Sequence, residues 1–382
     1  MRPNKFCYLY FIILFVYFTQ AFIFKEDRNI GSVLIVAVFG INMWYMLMSL
    51  SLNRRKRVIS AATVFLAINF IYFLWGEAAI NNVPSKTAIQ IFKTTLLSTS
   101  CIFPVFYWAR KGMNLDRLLL CFALGYLLVL IYNLLTRDVT EHYVDNLGYY
   151  YINIIPFVLL IRKRSYLKIG LCLLLTLFVI QSAKRGAILT VAVADVFFCF
   201  AILKNKEISK NFLGKSLLLV ILIIAAIYAY KQFMFNEFAF SRFEQLEEGQ
   251  TSGRGYIYSR LISHWLHDSS LVQMVFGSGY CAVPTITGGP FAHNDWLELL
   301  TDLGLVGVVV YFTFVYSMFS AARKQTHDIY KWIMFIVIAI WGVKTLFSMS
   351  YLDENNFMLT MLMGYMTGKE RELYEKRTAE IR

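Results

Sequence analysis

Charge is scarce in this chain. Of 382 residues only 16% are Asp, Glu, Lys or Arg, against 58% hydrophobic and a mean hydropathy of +0.56. That balance excludes an ordinary soluble domain and describes a polytopic membrane protein. There is no Cys-x-x-Cys and no Cys/His spacing suited to a metal. Five cysteines (Cys7, Cys101, Cys121, Cys172, Cys199) fall in apolar segments, and Cys281 stands alone in a polar one with no evident disulfide partner. They read as packing residues. No repeat period, low-complexity tract or appended soluble domain is visible. Acidic residues are the scarcer sign, 24 against 37 basic, which leaves a net charge of +13. The placement of that excess, rather than its size, decides what it means.

What the chain has in quantity is apolar runs. Spans are expected near 6–24, 30–52, 58–80, 87–109, 118–136, 146–161, 166–182, 187–203, 216–233, 296–319, 329–350 and 355–368. These make about twelve helices, each close to the ~20 residues a bilayer needs, in one all-α membrane domain covering 1–382. Thr19-Gln20-Ala21 loosely suits signal cleavage, but the many spans that follow predict an uncleaved first helix. Basic residues occupy every second loop: Arg2/Lys5, Arg54 to Arg57, Arg110/Lys111/Arg117, Arg162 to Arg164, Lys204/Lys206/Lys210, Arg323/Lys324 and the tail from Lys369. Lys and Arg held on the cytoplasmic side produce this alternation. The positive charge therefore reports topology and not nucleic acid. Both termini are expected inside, and the long polar loop 234–295 outside.

That loop is too long to be a turn. After Gly249 to Gly253 a helix is predicted from Gly253 to Asp268, with Ser252 as its N-cap. At 100° per residue, Tyr256, Arg260, His264 and His267 share one narrow face, and Ile257, Tyr258, Leu261 and Trp265 lie opposite. This pattern suits an amphipathic helix along the membrane surface, or simply a solvated polar face. Phe276-Gly277-Ser278-Gly279 has no βαβ context, so it reads as a tight backbone path rather than a dinucleotide site. His293-Asn294-Asp295 opens the next helix, where outward amides favour an anion and a histidine can act as a base. The alternative is a capping Asn or Asp beside an idle histidine. Lys184 and Arg185 lie on the side that usually lacks cations. They either bind an anion such as phosphate or neutralise a membrane acid such as Glu77 or Asp195.

In order along the chain, Lys184-Arg185-Gly186, Ser252-Gly253-Arg254, Phe276-Gly277-Ser278-Gly279 and His293-Asn294-Asp295-Trp296-Leu297-Glu298-Leu299 resemble the O-antigen polymerase and O-antigen ligase superfamily. The resemblance extends into Leu303-Gly304-Leu305-Val306-Gly307 and is specific from about 181 to 307. It implies a GT-C-type membrane glycosyltransferase of the bacterial inner membrane, with undecaprenyl-pyrophosphate-linked oligosaccharide as donor and acceptor. Arg185 and Arg254 would hold the pyrophosphate, and His293 would activate the acceptor hydroxyl. Lys184, Arg260, His264, Asn294 and Asp295 are the further substrate-binding candidates. No cofactor or metal is implied, and no D-x-D sequence occurs. A chain-length regulator remains open as a partner. The wording of the motifs favours a polymerase over a ligase that transfers the glycan to lipid A core. A lipid-linked oligosaccharide flippase is a third reading, but the few intramembrane charges (Glu77, Lys93, Asp195, Lys344) suit it less well. The resemblance points to Arg254, whereas the helical wheel points to Arg260 and His264.

Overall fold

The structure, a computed structural model, describes residues 3–23, 29–52, 57–76, 85–136, 147–161, 164–182, 184–204, 254–288 and 291–381. The expected 216–233 span, Glu77, Ser252, Gly253 and the loop before them lie outside the described residues. Every regular element among the described residues is helical. The first nine helices are α1 (Lys5–Ile23), α2 (Asn29–Ser51), α3 (Arg57–Gly76), α4 (Ser85–Ser100), α5 (Ile102–Arg110), α6 (Asp116–Leu135), α7 (Leu147–Val158), α8 (Ser165–Gln181) and α9 (Arg185–Leu203). After the undescribed stretch come four short helices: α10 (Arg254–Ser263), α11 (Leu271–Phe276), α12 (Ala282–Thr287) and α13 (Asp295–Asp302). Three long ones close the chain: α14 (Gly304–Lys324), α15 (Asp328–Phe347) and α16 (Phe357–Ile381).

Among the described residues seven helices are long and apolar enough to cross a membrane: Gly31–Ser51, Arg57–Trp75, Ala88–Arg110, Asp116–Leu135, Arg185–Leu203, Gly304–Lys324 and Asp328–Phe347. Shorter apolar helices run over Lys5–Gln20, Leu147–Val158 and Ser165–Gln181. The chain is a multi-pass helical membrane protein. Its centre is the first half of α16, where Phe357, Met358, Leu359, Met361, Leu362, Met363, Tyr365 and Met366 are fully buried. Gly364 and Gly368, four residues apart on α16, press against α5. A Cβ on Gly368 would stand 2.6 Å from the Phe106 carbonyl and 2.7 Å from Ala109 Cβ. Small residues at this spacing let two helices approach where lipid offers no hydrophobic drive for their association.

Several buried polar side chains are satisfied by one another or by backbone carbonyls, as a water-poor interior favours. Tyr10 donates to Asn42 Oδ1 at 2.8 Å, and Asn42 donates on to Ser100 Oγ at 2.8 Å. The Ser98 hydroxyl donates to the Tyr351 carbonyl at 2.7 Å, while Thr360 donates to the Ser98 carbonyl at 2.8 Å. Lys344, a cation in an apolar run, finds its partners close by in the chain. It donates to Asp353 Oδ2 and Asn356 Oδ1, both at 2.6 Å. Asp195 instead accepts from Thr176 Oγ1 at 2.8 Å and Cys172 Sγ at 3.3 Å, both on α8.

One expected span needs correction. The apolar run 296–319 is two helices, because Gly304 takes φ +65° and breaks it after Leu303. The break exists to let the loop dock. Gly277 takes φ +83°, and the amides of Ser278 and Gly279 donate to the carbonyls of Thr301 (2.7 Å) and Asp302 (3.2 Å). A Cβ on Gly304 would collide with the Val275 carbonyl and the Gly277 amide. The glycines of 276–279 are thus a close backbone path, against α13 and the start of α14. Gly304→Ala should lower stability by about 1–3 kcal/mol, from the left-handed backbone alone, and by more with the collision. Gly342→Ala, in α15 with open space around it, should be neutral or mildly stabilising. Thermal unfolding of the detergent-solubilised pair checks this, and equal melting temperatures would contradict it.

Candidate functional site

The short helix α13 organises the site through its polar side chains. Asn294 caps it, accepting from the amides of Trp296 (3.0 Å) and Leu297 (3.2 Å). Its three acids then fasten neighbouring segments. Asp295, fully buried, accepts from the Tyr311 hydroxyl at 2.6 Å and from the Ser350 amide at 2.9 and 3.0 Å. Glu298 accepts from the Ala292 amide at 2.8 Å. Asp302 accepts from the amides of Cys281, Ala282 and Val283 at 3.1, 2.9 and 3.3 Å, and so holds the start of α12. The described part of this loop has no strand and is held by carboxylates instead of a ladder. His293 sits between two of these anchors, and its backbone is forced to φ 52°. A left-handed conformation at a non-glycine residue is strain that its surroundings sustain.

Around His293 the distant cations converge on the C-terminal end of α15. The last carbonyls of a helix have no intrahelical donor. Here Arg254 Nη1 donates to the Phe347 carbonyl at 3.0 Å, and Asn294 Nδ2 to the Leu346 carbonyl at 3.3 Å. The start of α9 meets the same point, since a Cβ on Gly186 would stand 3.2 Å from the Phe347 carbonyl and collide with the Tyr149 hydroxyl. Lys184, at the N-cap of α9, places its ammonium 4.9 Å from the centroid of the Tyr149 ring. Lys344 places its own 4.9 Å from the same centroid. Arg185 is the first residue of α9 and half-buried. The N-terminal amides of that 19-residue helix add further positive potential. Burial first, then the charges of Arg254 and Lys184, push the His293 imidazole down to about 4. The histidine is therefore neutral at physiological pH, and it borders two cations from two other segments.

Arg260 and His264 lie elsewhere. Helix α10 packs Ile257 and Leu261 onto Val283 and Ala292, with Leu297 beside them. Its apolar face therefore lies on the protein's own α12 and α13, which corrects the expectation of a membrane surface beneath it. Helical register continues past Ser263 as a π turn, His264–Asp268, closed by the Ser269 amide on the His264 carbonyl at 3.0 Å. Tyr256, Arg260 and His267 are exposed as the wheel predicted, and Arg260 Nη1 donates to the Tyr256 hydroxyl at 2.7 Å.

One participant was not singled out from the sequence: Tyr149 reads there as part of an apolar run, whereas Lys344 already stands out as one of the few intramembrane charges. Arg254 carries a signal that the wheel overlooked. It stands at i relative to Ile257, Tyr258 and Leu261 at i+3, i+4 and i+7, the spacing of a single face. A cation heading an inward stripe is aimed at the protein, not at solvent.

Residues 170–312 match the O-antigen ligase family model. The matched segment runs from α8 into α14 and carries Lys184, Arg185, Arg254 and His293. No curated protein matches the chain.

His293 should gain its proton only as the pH falls through about 4, being neutral above that. Arg254→Ala removes one of the lowering charges and should move the midpoint up toward the ordinary 6.5. Histidine-selective ¹⁵N NMR reads both. A wild-type midpoint near 6.5, unmoved by the substitution, would contradict the site's geometry.

Proposed function

We propose that this member of the O-antigen polymerase and ligase superfamily joins polyprenyl-pyrophosphate-linked oligosaccharide repeat units on the extracytoplasmic face of the bacterial inner membrane. The observation that carries the reading is the meeting of Lys184, Arg254 and His293, from three segments, at the end of α15.

The chemistry follows from charge. The bond between the donor sugar's anomeric carbon and the pyrophosphate oxygen breaks with its electron pair going to the pyrophosphate. A positive character grows on the sugar and a negative one on the leaving group. Guanidinium and ammonium groups already fixed in place stabilise that departing charge, with Arg254 and Arg185 suited to paired contacts and Lys184 acting as a point charge. His293, neutral in the free protein, takes the proton of the acceptor hydroxyl as its oxygen bonds to the anomeric carbon. The same cations that lower its pKa are those the pyrophosphate would neutralise. Substrate binding thus raises the basicity of the imidazole at the moment it is used. Asn294 and Asp295 act through position, one capping α13 and the other holding Ser350 beside the end of α15.

A polymerase and a ligase differ in the acceptor and share this centre. The resemblance of the Lys184 to Ala187 and Ala292 to Leu300 sequences to repeat-unit polymerases favours the polymerase. The twelve-span topology with both termini cytoplasmic, from the Lys/Arg alternation, belongs to the same proposal.

In proteoliposomes supplied with the lipid-linked repeat unit, the protein should build a ladder of polymer on the polyprenyl carrier, undiminished by excess chelator. Arg254→Ala and Arg185→Ala should each lose on the order of 10²–10³ in turnover, with Lys at either position restoring only part. His293→Ala should lose roughly 10²–10⁴ while still binding the lipid donor. Arg260→Ala and His264→Ala should cost far less turnover. Glycan appearing only on added lipid A core would make it a ligase. Full activity in Arg254→Ala and His293→Ala would overturn the centre.

A further inference from the structure

On the opposite side of α10 from Arg254 lies a crevice of about 660 Å³ between α10, its π turn and α12. That volume falls within the range of small-molecule sites. Its walls include Tyr256, Ser259, Arg260, His264, Asp268 and Thr285. The groups are mixed in kind. Arg260 supplies guanidinium N–H donors, Asp268 is a carboxylate acceptor, and Ser259 and Thr285 carry hydroxyls that do both. Tyr256 contributes an exposed aromatic face, 61% accessible, with its hydroxyl held by Arg260 at 2.7 Å. His264 braces the wall between two residues, with Nδ1 3.5 Å from Asp268 Oδ2 and Nε2 3.3 Å from Ser278 Oγ. Ser278 is itself tied to α13 through its amide on the Thr301 carbonyl at 2.7 Å. The crevice therefore belongs to the same fastened unit that holds His293.

Donors and acceptors gathered beside an exposed aromatic ring suit a polyhydroxylated ring: its hydroxyls would pair with the polar groups, and its C–H face would lie on the tyrosine. Anion binding alone would not need the carboxylate of Asp268. The crevice opens on the face of α10 turned away from Arg254, and its walls continue along that helix past Arg260 and His264, roughly 9–15 Å beyond Arg254 at 1.5 Å per residue. A sugar held there would be one other than the sugar bonded to the pyrophosphate.

We propose that this crevice is a saccharide subsite, separate from the catalytic centre, that grips a sugar of the glycan away from the pyrophosphate. The assignment of that sugar to the glycan substrate rests on the proposed function; the affinity for saccharide does not.

The test uses full-length protein in nanodiscs and, as probe, the oligosaccharide released by mild acid from the source organism's own polyprenyl carrier. This probe lacks pyrophosphate. Saturation-transfer NMR should detect binding to the wild type. Tyr256→Ala and Arg260→Ala, both exposed positions, should weaken it by about 10-fold or more, the loss of one stacking or charged hydrogen-bonding contact. Arg254→Ala should leave it unchanged. In the polymerisation assay the first two variants should raise KM for the repeat unit with kcat nearly intact, while Arg254→Ala lowers kcat. Oligosaccharide that does not bind, or that binds the Tyr256 and Arg260 variants as well as the wild type, overturns the subsite whatever Arg254→Ala does to turnover. Saccharide binding lost in those variants, in a protein whose turnover ignores Arg254 and His293, would keep the subsite and overturn the catalytic centre instead.

Discussion

Four carbonyls at the end of any α-helix lack partners within it, and at the end of α15 two of them are answered by side chains from elsewhere. Arg254 reaches the Phe347 carbonyl and Asn294 the Leu346 carbonyl. Close packing of Gly186 brings the start of α9 to the same place. The geometry around His293 depends on this knot. It gathers a cation from the loop helix, two from the head of α9 and a histidine from before α13, although they span more than a hundred residues of sequence. A carbonyl is a weak partner for a guanidinium compared with a phosphate. Arg254 is therefore held in place without being committed.

The second constraint is the absence of strand or disulfide in the described part of the loop. Three buried acids on the eight residues of α13 replace them, each accepting backbone amides from a different stretch of chain. Asp295 extends the frame into the core, since Ser350 is also joined to Asn356 through its carbonyl at 2.7 Å, and Asn356 to Lys344 at 2.6 Å. Loop, site and central helix are thus one hydrogen-bonded unit. Preorganisation of this kind matters where fixed charges stabilise a leaving group, because side chains that must first reorient return much of their electrostatic gain.

Periodicity and composition made much of this legible. Apolar runs located the helices, and the wheel placed Tyr256, Arg260 and His267 on the exposed face of α10. Three features escaped for physical reasons. Leu303-Gly304 lies inside a continuous hydrophobic run, and only the approach of Gly277 requires a positive φ there. Lys344 is matched by Asp353 nine residues later, across a turn that no period connects. Tyr149 stands between two lysines for reasons of packing alone, with nothing in its neighbours along the chain to announce it. The choice between Arg254 and Arg260 turned on which face of α10 meets the protein. The stripe at Ile257 and Leu261 already carried that information, once Arg254 is counted as its first member.

The most direct test of the account is a cryo-EM structure of the protein in nanodiscs with undecaprenyl pyrophosphate bound. The account predicts diphosphate density at the end of α15, between Lys184 and Arg254 and within reach of His293, with the Arg254 guanidinium turned from the Phe347 carbonyl toward it. Diphosphate lodged beside Arg260, with Arg254 still on that carbonyl, would contradict it.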